Sequence, residues 1–131
     1  MALAFSTFLM FTGSAEQAME LYSTVFSDAV IESIERYGPE EPDREGLVKA
    51  ASFTLRGQRF RCFDSPPVHD FTFTPAISIF VDCETEDELE SAYAQLASGG
   101  AVLMPIGEYG FSTRFGWVND RFGVSWQLNF A

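Results

Sequence analysis

The sequence predicts an α+β fold of two βαβββ modules, whose curved mixed sheets form a cup with the helices on its outer face. Three observations predict it. Two helix starts carry the same capping-box pattern, each follows a strand-like run, and each is followed by three further β-like segments.

The first strand is read in FSTFLMFT, within the apolar opening MALAFSTFLMF. That opening has no basic residue and is interrupted by Ser6 and Thr7, so it reads as a strand rather than a secretory signal. Ser14 followed three residues later by Gln17 starts the first helix, and Ala15, Ala18, Met19, Tyr22, Val25 and Phe26 form its apolar stripe. Alternating segments at 29–37, 47–55 and 59–63 complete the first module. The connection at 37–46, YGPEEPDREG, is charged and carries two prolines, which places it on the surface. A proline-rich stretch at 64–75 links the halves.

The second module opens on PAISIFVD. Thr85 and Glu88 repeat the capping box, Leu89, Ala92, Tyr93 and Leu96 form the stripe, and Gly99-Gly100 ends the helix. Strands are expected at 101–105, 113–119 and 124–130. The 131 residues are thus expected to make one domain, with modules of about 1–64 and 74–131.

Composition narrows the function classes. Nineteen acidic against eight basic side chains give a formal charge of −11, a field that repels a phosphate backbone, so nucleic acid is not an expected partner. No run approaches the roughly 18 apolar residues of a membrane span. Cys62 and Cys83 both lie in apolar, strand-like sequence, which suits buried thiols in a reducing cytoplasm. The acidic run from Glu84 to Glu90 falls at a helix start, where negative charge favours the dipole.

Alternation assigns side chains to the uncovered faces. In AISIFVD, Ile77, Ile79 and Val81 form the helix-side row, leaving Ala76, Ser78 and Phe80 for the cup. In the last strand Val124, Trp126, Leu128 and Phe130 face the helix, leaving Ser125, Gln127 and Asn129. If an even-numbered loop closes the final hairpin, Trp117 opposes Trp126 in the core, and Arg114, Gly116 and Val118 join the cup side; a three-residue loop reverses this assignment for the earlier strand. Arg114 beside Gln127 would then offer a guanidinium for an anion and an amide for a carbonyl or hydroxyl. The expected ligand-binding set is Asp64, Ser78, Phe80, Arg114, Ser125 and Gln127, and the expected partner is a small organic molecule.

The stretches FLMFTGSAEQAMELYSTVF, PAISIFVDCETEDELESAYAQLASGG and VLMPIGEYGFSTRFGWVNDRFGVSWQL resemble the PhnB-like, demethylubiquinone methyltransferase-like branch of the vicinal oxygen chelate superfamily. The resemblance covers nearly the whole chain. It implies paired βαβββ modules and a homodimer. It also implies relatives such as glyoxalase I and ring-cleaving dioxygenases, which hold a divalent metal between modules, and antibiotic-sequestering relatives, which bind without turnover. No Gly-rich cofactor loop follows a strand here, so the residues do not point to methyl transfer. The places that match the metal ligands of the superfamily are Ser6 or Thr7, the 62–64 region, Ala76 and Gln127. Only Asp64 and Gln127 could ligate there, and a catalytic zinc site ordinarily takes three protein ligands. The sole histidine, His69, lies in the link. No metal or other cofactor is therefore expected. A lyase, isomerase or dioxygenase using a divalent metal on Asp64 and Gln127 is the alternative.

Overall fold

The computed structural model describes residues 3–131, so Met1 and Ala2, at the head of the stretch read as the first strand, lie outside it. The chain forms two compact units, residues 3–72 and 73–131. Each contains one helix and a four-stranded mixed sheet, so the α+β, twice-repeated βαβββ architecture expected above is the one observed. Among the described residues no helix is long and apolar enough to cross a membrane.

The first unit runs β1 (Thr7–Phe11), α1 (Ala15–Val25), β2 (Val30–Arg36), β3 (Val48–Leu55) and β4 (Gln58–Asp64), with sheet order β1-β4-β3-β2. β1 lies parallel to β4 and the other neighbours are antiparallel. The β3–β4 hairpin closes on Arg56-Gly57, both at positive φ (50° and 78°), the geometry of a two-residue turn that matches the twist of the strands. Leu9, Phe11, Phe53, Phe60 and Cys62 are buried on the face that α1 covers with Ala15, Ala18, Met19 and Tyr22.

α1 is not capped as its sequence suggests. Ser14 makes no side-chain capping bond. The role falls to Asp64, 1% exposed at the end of β4. Its Oδ1 accepts from the backbone N–H of Gly13 (2.8 Å) and Ala15 (3.0 Å), and its Oδ2 from Val48 (3.0 Å). The Tyr37 hydroxyl donates to the Asp64 carbonyl (2.9 Å), and the Ser65 N–H to the Phe11 carbonyl (2.7 Å). One carboxylate thus joins the start of α1 to β3 and β4. Negative charge at a helix N-terminus adds a favourable dipole term.

The second unit runs β5 (Ile79–Asp82), α2 (Glu86–Ala97), β6 (Ala101–Gly107), β7 (Arg114–Asn119) and β8 (Ser125–Phe130), in the equivalent order β5-β8-β7-β6. Here the capping box forms as expected: Thr85 Oγ1 accepts from the Glu88 N–H (3.0 Å), while Glu88 Oε1 accepts from the Glu84 N–H (3.2 Å). Leu89, Ala92 and Leu96 pack on Val118, Trp126 and Leu128. β5 begins at Ile79, so Ile77, expected in the helix-side row, stands outside the strand and is 76% exposed.

The last hairpin corrects the face assigned to β7. Asn119 opposes Ser125, which leaves a five-residue connection at 120–124 and places Trp117 opposite Gln127, Val118 opposite Trp126, and Gly116 opposite Leu128. The odd count reverses the alternation. Trp117 is therefore on the uncovered face, and Arg114, Gly116 and Val118 are on the helix side. The connection is built on Asp120, 2% exposed, whose carboxylate accepts from the Phe122 N–H (2.9 Å), the Val124 N–H (3.1 Å) and the Trp126 indole (2.9 Å). Gly116 needs its missing side chain, because a Cβ there would stand 2.8 Å from the Tyr93 ring of α2.

Asp64→Ala strands three backbone donors and should cost about 3 kcal/mol or more in urea unfolding, against about 1 kcal/mol for the local cap mutant Thr85→Ala. Equal losses would show that Asp64 carries no more than an ordinary cap. The β7 assignment is checked by acrylamide quenching. Trp126→Phe protein, which keeps Trp117, should stay quenchable, and Trp117→Phe protein, which keeps only the 0% exposed Trp126, should not.

Candidate functional site

In the second unit α2 covers one face of the sheet and leaves the other open. Pairing across the strands sets Phe80, Gln127, Trp117 and Met104 in one transverse row on that open face. Opposed residues share a face, so the row follows from register. Phe80 is 52% exposed, and Gln127 is half-buried between it and Trp117. The Gln127 amide makes no hydrogen bond among the described residues, leaving a donor and an acceptor between two aromatic rings.

The neighbouring row is polar and internally bonded. The Trp117 indole donates to Ser125 Oγ (2.8 Å), which lies 2.8 Å from Ser78 Oγ. An indole N–H only donates, so Ser125 accepts from Trp117 and keeps its own hydroxyl hydrogen for Ser78 or a ligand. The third row pairs Asn129 Nδ2 with Asp82 Oδ1 (3.0 Å), while Asn129 Oδ1 is buried without a partner among the described residues. Phe115, opposite Asn129, is covered by Phe111 and Tyr109 at ring separations of 5.0 and 6.0 Å, so the connection at 108–113 folds aromatic side chains over this end of the face.

Four of the expected ligand residues, Ser78, Phe80, Ser125 and Gln127, are brought together here. Two are not. Arg114 lies on the helix side, where its guanidinium meets Glu90 of α2 at 2.5 Å, because the five-residue connection shifts β7 by one place relative to the even loop assumed from sequence. Asp64 is buried under α1 with both carboxylate oxygens engaged by backbone donors. Trp117 and Phe115 stand on the open face for the same reason of register. The signal was present in part: Asp120 and Gly123 are the first and last residues of a four-residue turn closed by the Gly123 N–H on the Asp120 carbonyl (2.9 Å), and Gly123 takes the positive φ (93°) that odd-numbered hairpin loops use.

The positions that the resemblance equates with metal ligands can be taken one by one. Asp64 has no free oxygen, Ala76 has no donor atom, and Gln127 remains as a single amide. Among the described residues no three of His, Cys, Asp and Glu come together as a group able to hold a metal ion. His69 stacks on Phe71 in the link, with ring centroids 5.0 Å apart. The cysteines are free and buried. Burial, then the Asp64 charge, pushes the Cys62 thiol up to about 12. Burial, then Glu88, raises Cys83 to about 11. Neither is a thiolate nucleophile at neutral pH.

A family model described as 3-demethylubiquinone-9 3-methyltransferase matches residues 4–129. Among solved structures, a PhnB protein from Bacillus cereus is 54% identical over 97% of this chain and 98% of its own, with a TM-score of 0.93. Protein PA1353 from Pseudomonas aeruginosa is 27% identical over 98% of each chain, with a TM-score of 0.85. FosX, a genomically encoded fosfomycin resistance protein from Listeria monocytogenes, shares the fold at 13% identity and a TM-score of 0.64, over 100% of this chain and 94% of its own. No curated protein matches. With the repeated βαβββ unit and the closing Gly-Trp-Val and Phe-Gly-Val-Ser-Trp-Gln-Leu signature, these matches show that the chain belongs to the PhnB-like, 3-demethylubiquinone-9 3-methyltransferase family of the vicinal oxygen chelate fold.

Proposed function

We propose that this protein binds a small organic molecule on the open face of its second sheet and does so without a divalent metal. The observation that carries the reading is the unpartnered Gln127 amide held between Phe80 and Trp117. Two rings offer stacking surface, and a free amide between them fixes the orientation of a carbonyl or hydroxyl. A flat ligand suits this surface better than a branched aliphatic one. The overall charge of −11 and Asp82 at the edge of the face favour a neutral or cationic molecule over an anion here, with cation–π contact to Trp117 available.

The reading extends to the cellular setting. The protein is proposed to work as a homodimer, the arrangement the family resemblance implies, and in the cytoplasm, where two buried free thiols persist. That FosX is a resistance protein for an antibiotic supports including antibiotics among candidate ligands. Binding without turnover is favoured because the open face offers no carboxylate pair, no histidine and no activated thiol.

A thermal-shift screen of planar amides, phenols and cationic antibiotics should yield a ligand that also changes Trp117 fluorescence. Gln127→Ala should weaken it about five- to tenfold, as expected for one neutral hydrogen bond, and Phe80→Ala should weaken it further, both with unchanged thermal stability of the free protein. Binding should survive EDTA, and protein purified without chelator should carry less than stoichiometric metal. Stoichiometric zinc, manganese, nickel or iron that is lost in Gln127→Ala protein would defeat the metal-free reading. A ligand indifferent to both substitutions would remove this face from the site.

A further inference from the structure

The first sheet also has an open face, and its chemistry differs. Register places Phe8, Arg61, Ser52 and Ser33 in one transverse row across β1, β4, β3 and β2. Arg61, Ser52 and Ser33 line a concavity of about 810 Å³, together with Ser6, Arg59 and Glu32. That volume is in the range of small-molecule sites.

Arg61 stands apart from the other arginines. Arg36 pairs with Glu16, Arg44 with Glu41, Arg56 with Asp28, Arg59 with Glu32 and Arg114 with Glu90, while Arg121 donates to the Ser98 carbonyl. Arg61 has no ion pair and no hydrogen bond among the described residues. In a chain with more than twice as many carboxylates as basic groups, an arginine on a strand without a carboxylate partner is an available charge. Its neighbours complete a donor set. Ser33 Oγ and Ser52 Oγ are 3.1 Å apart and share one hydrogen bond, so of their two hydroxyl hydrogens one remains to donate outward. Arg59 meets Glu32 only at 3.7 Å, with both side chains well exposed, a loose pair that an incoming anion can recruit. Phe8, edge-on to Phe63 at 5.4 Å and 58% exposed, is the next residue of the row beyond Arg61, an apolar surface beside the residues that line the concavity.

We propose that this concavity binds a small organic oxyanion, a carboxylate or phosphoryl group on an apolar body. The Arg61 guanidinium holds two oxygens side by side, the Ser33–Ser52 pair donates to a further oxygen, and Phe8 packs against the body. Guanidinium is preferred to ammonium because the fork matches both anion geometries. The site lies wholly in the first unit, so its failure would leave the reading of the second sheet untouched.

The test is a titration of the full chain, followed by amide NMR, with benzoate, phenylphosphonate and the neutral control benzyl alcohol. Either anion should give saturable shifts centred on Ser33, Ser52 and Arg61, weakening as salt is raised, and benzyl alcohol should not. Stronger binding of one anion assigns the headgroup. Arg61→Gln should weaken binding about tenfold or more, the loss expected for charge-assisted bonds. Arg61→Lys, which keeps the charge but not the fork, should fall between, and Arg121→Gln should match the parent. The proposal is overturned if neither anion saturates at millimolar concentration, if benzyl alcohol binds as well, or if folded Arg61→Gln protein binds as the parent does.

Discussion

The first unit depends on one buried carboxylate. Asp64 is the last residue of β4, yet its oxygens are spent on the backbone at the start of α1 and at the start of β3. A helix leaves its first N–H groups without internal partners, and a sheet start leaves others. Here two such ends converge on a single side chain, so helix position, strand register and sheet order are constrained together. Because the helix is tied over one face, the opposite face of the same sheet is free to carry Arg61 and its serines. The second unit reaches the same order by different means. α2 caps itself through Thr85 and Glu88, and a second buried carboxylate, Asp120, is used instead to shape a hairpin and hold the Trp126 indole.

This contrast explains how much was legible in the sequence. The α2 cap lies three residues from the N–H it satisfies and reads directly from Thr85 and Glu88. The α1 cap comes from a residue 49 positions from Ala15, so a local pattern named Ser14 where tertiary structure uses Asp64. The elements and their order could be read because each amphipathic period is local. The loop at 120–124 shows the other limit. Alternation placed Ser125, Gln127 and Asn129 on one face of β8 with no knowledge of its partner, but the face of β7 depended on how many residues close the turn. That single uncertainty put Arg114 on the open face and Trp117 beneath the helix, and the structure reverses both.

The two open faces divide the chemistry between them. On one, an amide sits between aromatic rings in a setting suited to flat, uncharged or cationic surfaces. On the other, a guanidinium without a carboxylate partner sits among hydroxyls. Among the described residues neither face gathers three of His, Cys, Asp and Glu, and a shared fold does not by itself assign a reaction. Family membership was legible from motif; which side chains share an open face came from pairing partners, which only the folded sheet defines.

The five-residue connection between β7 and β8 has an evolutionary consequence. Substitutions within β7 alter one side chain at a time, but gain or loss of one residue at 120–124 would exchange the whole strand's interior and exterior. Trp117 and Phe115 would be driven beneath α2, and Gly116 and Val118 would surface. Length there thus decides which side chains the open face presents, independently of the residues chosen for the strand. Descendants can diversify this face gradually by substitution, whereas tolerated changes in loop length must come in pairs.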